Sequence, residues 1–311
     1  MATQGAIIRA VDYNTIQSNV SNILGPGSGD FGYGQSLISS QVLPNLSNPA
    51  GIQTIEANDW AKLKIDILKI ANHQGTAGNP AVASIPNIVP GIEIDDVQIT
   101  SFENAIPVLT ANRFSLAEFT DESFSPTISQ TRTTAWGSPS TTTIRHSFTV
   151  DFGSPSNARW FFNSGSQLRF NASRSGGSPS AQNTSWTNLL SSMGTVIYNI
   201  AGSTASSGTT SAIGFYSLTN IPQTVFTKTG FENYLYEGND YTITISCDVA
   251  NNSTGTARYI YVAVYFNDDY SGPFTDSVTG TITHNVTMRR ATGSNVSVAK
   301  PTAVNTVLLT A

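Results

Sequence analysis

Cysteine is nearly absent from this 311-residue chain, with Cys247 alone. A single cysteine excludes an intramolecular disulfide framework and any multi-cysteine zinc site. Cys247 lies on the apolar phase of an alternating segment, which fits a buried, inert thiol. Charge is scarce as well. Charged residues make up 11% of the chain, against roughly 25% in ordinary globular domains. Arg289-Arg290 is the only adjacent basic pair, so the clustered cations of a nucleic-acid binder are missing. No apolar run is long enough to span a membrane, and no basic segment followed by an apolar run marks a leader. The expectation is synthesis in a cytoplasm, with neither nucleic acid nor membrane as a partner.

Hydroxyls fill much of the gap. Ser and Thr supply about a quarter of the residues, alongside 25 Gly. This mixture favours strands and turns that face water with hydroxyls instead of charges. Such compositions are common in secreted, fibrous and particle-surface proteins.

Near its start the chain repeats a phrase. Ile8, Ala10, Asp12, Tyr13 and Ile16 recur as Ile55, Ala57, Asp59, Trp60 and Leu63. The register continues, with Val20 matching Ile67 and Ile23 matching Ile70. The spacing predicts helices over about 12–24 and 59–74, stopped by Gly25 and Gly75. Asp12 and Asp59 read as N-caps, and a catalytic carboxylate pair is the rival reading. His73 ends the second helix, where a cation suits the dipole. Lys62, Lys64 and Lys69 mark a solvated face. Helices this short need a partner. Tyr13, Ile16, Val20, Trp60, Leu63 and Ile67 are therefore the candidate assembly residues, either packing the two copies together or forming an intersubunit core. Residues 25–50 read as an extended loop, including the glycine-rich Gly29–Gly34, and 76–91 as a linker. A third helix is expected within 93–118, interrupted or kinked by Pro107.

From about residue 120 the pattern turns to strands. Ser/Thr/Pro-rich 123–143 reads as loop or edge strand. Ile144, His146, Phe148, Val150 and Phe152 alternate with polar residues. Strands are also expected near 158–163, 167–173 and 194–200, with a short helix at Trp186, Leu189 and Leu190. The firmest tertiary expectation is a hairpin over 241–266. Its second strand puts Ile260, Val262, Val264 and Phe266 on one face and Tyr259, Tyr261 and Tyr265 on the other. Those tyrosines bind a sugar or partner if exposed, and are ordinary packing if covered. Residues 279–288 form another strand. Apolar 300–311 either pairs with a neighbouring chain or docks on its own sheet. The expected fold class is mainly β with a helical N-terminal module, residues 1–118, and an antiparallel jelly-roll-like β-sandwich, residues 119–311.

Catalytic patterns are missing. There is no Gly-x-Ser-x-Gly elbow, P-loop or His-Glu-x-x-His motif. His146 and His284 sit in the apolar phase of their strands and read as core histidines, with zinc conceivable if those strands meet. Asp268-Asp269 reads as a solvated turn or part of a calcium site. No catalytic residue, metal ligand or cofactor is assigned, and an enzyme is not expected.

A second phrase is more specific. It runs Ala158-Arg159-Trp160-Phe161-Phe162-Asn163-Ser164-Gly165, then Gln167-Leu168-Arg169-Phe170-Asn171-Ala172-Ser173-Arg174-Ser175-Gly176-Gly177. It continues to Asn183-Thr184-Ser185-Trp186-Thr187-Asn188-Leu189-Leu190 and Gly194-Thr195. This resembles virion structural proteins of tailed bacteriophages, particularly phages of cyanobacteria, and so do the N-terminal Asp-Tyr/Trp phrases. The resemblance covers about half the chain in two separated blocks. Read from its residues, the second phrase is two strands joined by a turn at Asn163–Gly165, with Arg159, Arg169 and Arg174 facing carboxylates.

The resemblance implies a virion component and no catalytic residues. The expectation is an appendage protein of a tail fibre, neck, collar or baseplate, anchored by its helices and displaying its β domain. Its partners would be other virion proteins and further copies of itself, as a trimer. The alternative is a capsid decoration protein, or a receptor-recognition protein binding host glycan through Tyr259, Tyr261, Tyr265 or the loop residue Trp136.

Overall fold

The structure is a computed structural model. It describes residues 9–42, 55–91, 94–137, 142–230, 235–270, 272 and 276–310, with side chains to residue 304. Ile8 of the repeat, the end of the 25–50 loop, Glu93 and residues 138–141 lie outside the described residues, as do the side chains closing the 300–311 segment.

The fold mixes helix and sheet. In chain order the elements are α1 (Ala10–Leu24), α2 (Ala57–Gln74), α3 (Pro80–Ala83), α4 (Asp96–Ala111), β1 (Phe119–Arg132), β2 (Thr143–Asp151), α5 (Pro155–Asn163), β3 (Gln167–Ser175) and α6 (Ala181–Met193). There follow β4 (Val196–Asn199), β5 (Gly202–Thr204), β6 (Thr209–Thr210), β7 (Gln223–Thr229), β8 (Asp240–Cys247), β9 (Tyr259–Asn267), β10 (Thr281–Ala291) and β11 (Thr302–Thr310). Two compact units result. The first holds Met1–Thr120, Arg159–Gly165 and Ala291–Val298, and the second holds Asp121–Ala158, Ser166–Arg290 and Ala299–Ala311. The expected boundary at 118/119 lies close to the first unit's edge at Thr120, and Arg159–Gly165 and Ala291–Val298 group with that unit as well.

In the first unit the repeated helices pack on each other and on α4. Trp60 is the centre of this contact. Tyr13 meets its ring edge-on at 5.0 Å, and Phe102 of α4 lies 4.9 Å away. Tyr13, Ile16, Val20, Trp60, Leu63 and Ile67 are all buried within the single chain. The stripes are thus used in intrachain packing and do not offer an intersubunit core. Asp12 and Asp59 sit one turn inside their helices, not at the caps. Asp12 accepts from the Arg9 backbone N–H at 2.9 Å, and Asp59 from that of Glu56 at 3.0 Å. Each carboxylate thereby satisfies an orphan donor at a helix start.

Several expectations need correction here. Residues 76–91 are not a linker, because α3 and the turns around it bury Val82, Ile85 and Ile88. The α4 helix runs through Pro107 to Ala111, with Ile99, Phe102, Ala105 and Leu109 buried and Ile106 only partly so. His73 is fully buried and not a solvated cation. Its Nε2 lies 3.1 Å from the Ser164 carbonyl, and burial pushes its pKa down to about 4. Lys64 Nζ donates to the Ile85 carbonyl at 2.6 Å, and Lys69 pairs with the buried Asp66 at 3.2 Å. Asp66 also accepts from the backbone N–H groups of Ile38 and Ser39 and from Ser39 Oγ.

The segment 158–163 is helical, not a strand. Its α5 side chains hold the glycine-rich loop by its carbonyls. Arg159 donates to Gly29 and Phe31, Trp160 Nε1 to Pro26, and Asn163 Nδ2 to Gly29 and Gly32. Arg159 therefore meets carbonyls, not carboxylates. Gly34, at φ +72°, lies where a Cβ would fall 2.2 Å from the Trp160 ring, so only glycine fits.

The second unit contains two antiparallel sheets. The five-stranded sheet has the order β1-β10-β3-β4-β5, and the six-stranded sheet β11-β2-β9-β8-β7-β6. The β8–β9 hairpin pairs Cys247 with Ile260 through to Asp240 with Asn267. The C-terminal segment docks on its own sheet as β11, antiparallel to β2. Inner faces of the two sheets meet through Phe148 and Phe170, and through Phe266 and His284. Trp136 is no exposed loop residue. It is 3% exposed and packs 5.0 Å from Trp186 of α6.

Because Trp60 fills an intrachain core, Trp60→Ala should destabilise the first unit by ~3–5 kcal/mol, measured by denaturant unfolding. Unchanged stability with loss of self-association would restore the intersubunit role.

Candidate functional site

The outer face of the six-stranded sheet is the candidate site. On β9 the alternation is complete: Ile260, Val262, Val264 and Phe266 point inward and are buried. On the opposite face Tyr259 and Tyr265 are half-buried and Tyr261 is 43% exposed. Tyr265 and Tyr261 flank Ala263, the one small residue in this row. In the ladder, Ala263 lies between Ser147 of β2 and Thr244 of β8. Two rings therefore stand about 13 Å apart along the strand above a floor of Ala263, Ser147 and Thr244. The depression has a volume of about 280 Å³.

Charges occur at the ends of this row. Arg145 is Tyr265's partner on β2, and its guanidinium carbon lies 5.4 Å from the ring centroid. Past Tyr261, Tyr259 stacks on it at 6.5 Å and lies under Arg258 at 4.7 Å. Arg258 holds Asp151 with two 2.8 Å hydrogen bonds, which lowers the carboxyl's pKa. Partial burial, with Asp248 nearby, raises the Tyr261 phenol above its ordinary range, so it remains a hydrogen-bond donor. The exposed apolar residues Val304 and Ile221 border the face. Val304 is the ladder partner of Thr149, itself the partner of Tyr261, and Ile221 precedes the lining residue Pro222.

The two strand histidines do come together, but across the sheets and inside the core. His146 Nδ1 and His284 Nδ1 are 2.6 Å apart, and His284 Nε2 is 3.2 Å from the Tyr241 hydroxyl. One ring must donate and the other accept, so at least one is neutral. Two nitrogens bound to one zinc at ~2.0–2.1 Å each in tetrahedral geometry would stand farther apart than this contact. Among the described residues no group of three or more His, Cys, Asp or Glu is placed to hold a metal ion. Burial pushes the pKa of both histidines down, and His146 lowers His284 further.

The remaining candidates resolve structurally. Asp268 is buried at 3% and accepts from Gln182 Nε2, so its carboxylate is used inside the fold, while Asp269 is exposed. Cys247 is buried, with its thiol pKa pushed up by burial. Arg174 donates to Thr187 and to the carbonyls of Gly176 and Thr279, not to a carboxylate. No described helix is long and apolar enough to cross a membrane.

Comparison with protein-family models, with curated proteins and with solved structures finds no match.

The three histidines set an acid limit. All have folded pKa values below the usual 6.5, so the unfolded chain binds protons first as pH falls. Their contribution is complete above pH 6.5 and is lost below it, at ~1.4 kcal/mol per pH unit for each histidine. Denaturant unfolding between pH 7.5 and 4.5 should show stability falling from about pH 6.5. The double variant His146→Phe, His284→Leu should remove about two protons' worth of that slope. An unchanged slope would mean that the pair is not buried and neutral.

Proposed function

We propose that the protein is a structural component of a tailed-bacteriophage particle, an appendage protein of a tail fibre, neck, collar or baseplate. It is made in the host cytoplasm and resides on the virion. The reading begins from the resemblance at 158–195. The observation that carries it is the division of the six-stranded sheet into one core face and one face of tyrosines and hydroxyls left open in the single chain. That is the arrangement of a domain built for display.

In this reading the two sheets form a β-sandwich of jelly-roll type. The nested neighbours β1–β10 and β2–β9 support it, while the consecutive run β7–β8–β9 within one sheet departs from the ideal pattern. The helical first unit anchors the chain to other virion proteins, and copies associate as a trimer. With the repeated stripes buried, the anchoring surface falls to exposed apolar residues: Val11 of α1, Ile65 of α2 and Val97 of α4. Catalysis, nucleic acid and membrane have no part in this function.

The second reading is host-glycan recognition, or capsid decoration, by the same open face. The exposure of Tyr261 beside a hydroxyl-lined floor favours the glycan form.

Mass spectrometry of purified particles of the encoding phage should find the chain at fixed stoichiometry. Its absence would overturn the virion reading. The variant Ile65→Asp, Val97→Asp should keep its stability within about 0.5 kcal/mol yet enter particles at least tenfold less. Normal incorporation would remove the anchoring role of those faces.

A further inference from the structure

The charge of Arg145 narrows the ligand of the outer face. The chain has 20 acidic residues and 15 Lys and Arg, so carboxylates are not in short supply. Other arginines use them: Arg113 pairs with Asp30, Arg258 with Asp151, Arg289 with Asp121 and Arg290 with Glu122. Arg145 is exposed, lies against Tyr265, and has no carboxylate partner among the described residues. Its cation stands at one end of the Tyr261–Tyr265 depression. Asp151, the acid at the far end of the same strand, is already held by Arg258.

The floor adds polar groups. Ser147 is half-buried, and its Oγ has no hydrogen-bond partner among the described residues. Thr244 Oγ1 donates a long 3.4 Å bond to the Ala263 carbonyl and retains acceptor capacity. A flat, partly apolar ring fits against a tyrosine face, its hydroxyls fit the Ser/Thr floor, and an anion fits the guanidinium fork. The apolar rings alone would suit a neutral sugar. Arg145, without a carboxylate among the described residues, is the part that a neutral sugar would leave unused.

Building on the glycan-binding reading of this face, we propose that the depression takes a carboxylate-bearing pyranose, a uronic or sialic acid unit of an acidic polysaccharide. The ring stacks on Tyr261 and the carboxylate pairs with Arg145. The outer face of β2, β8 and β9 is then an acidic-glycan site.

The test uses the full chain on an array carrying uronate-, sialate- and neutral-saccharide probes, followed by calorimetry with one acidic oligosaccharide and its methyl ester. Binding should be confined to carboxylate-bearing probes, with the ester at least tenfold weaker. Arg145→Gln should bring acid and ester to equal, weak affinity, and Tyr261→Ala should weaken both, with unfolding midpoints unchanged. Equal binding of acid and ester by the native chain would overturn the acidic preference and leave glycan binding standing. No binding to any saccharide would overturn both. Self-association lost in Tyr261→Ala, measured by sedimentation, would reassign the face to contact between copies and also overturn the proposal.

Discussion

A strand hydrogen-bonded on both sides cannot slip one residue without sending every side chain to the opposite face. β9 is held this way, between β2 and β8, in continuous register from Ile260 to Asn267. That register sends Ile260, Val262, Val264 and Phe266 into the core, and it fixes Tyr261 and Tyr265 outward on either side of Ala263. It also sets Arg145 beside Tyr265, and Ser147 and Thr244 beside Ala263. The core and the open face are two consequences of one ladder. A substitution that loosened the apolar side of β9 would disorder the tyrosine side with it.

The first unit depends on a different kind of constraint, the satisfaction of backbone groups outside regular ladders. Irregular segments bury carbonyl and N–H groups that no helix or strand pairs. Asp66 meets the N–H groups of Ile38 and Ser39, and the α5 side chains Arg159, Trp160 and Asn163 meet the carbonyls of Gly29, Pro26 and Gly32. The phrase Ala158–Gly165 therefore has a physical purpose in the fold. Its Arg-Trp and Asn hold a loop more than a hundred residues earlier in the chain.

Alternation made β2, β8, β9 and β10 legible in the sequence, because one face of each is apolar and the other is not. The repeated stripes likewise marked α1 and α2, and Trp186, Leu189 and Leu190 marked α6. What failed shares a cause. Ala158 to Phe162 is a short run whose apolar residues fit either period, so the pattern alone does not separate helix from strand. The buried role of Asp66 has no signal in the sequence, since its partners lie 27 and 28 residues earlier. The 76–91 segment reads as a linker because Pro, Gly and Ala fill half of it, yet Val82, Ile85 and Ile88 are buried. For the site, the face was legible from the tyrosine phase. That no described carboxylate meets Arg145 was not, because pairing is a property of space.

β2 links the two sides of the second unit. Its residues alternate Arg145 outward, His146 inward and Ser147 outward. The inward position is a neutral imidazole in contact with a second one, with Phe148, Phe170 and Phe266 around the pair and no carboxylate among its ring and hydrogen-bond contacts to hold an added proton. The outward position is a permanent cation in contact with water. Sheet geometry permits this inversion over one residue, because successive side chains leave the backbone in opposite directions. A carboxylate ligand remains ionised well below pH 6.5, with an ordinary pKa near 3.5–4. The acid sensitivity of such a complex would thus belong to the protein's core and not to the bond between sugar and arginine.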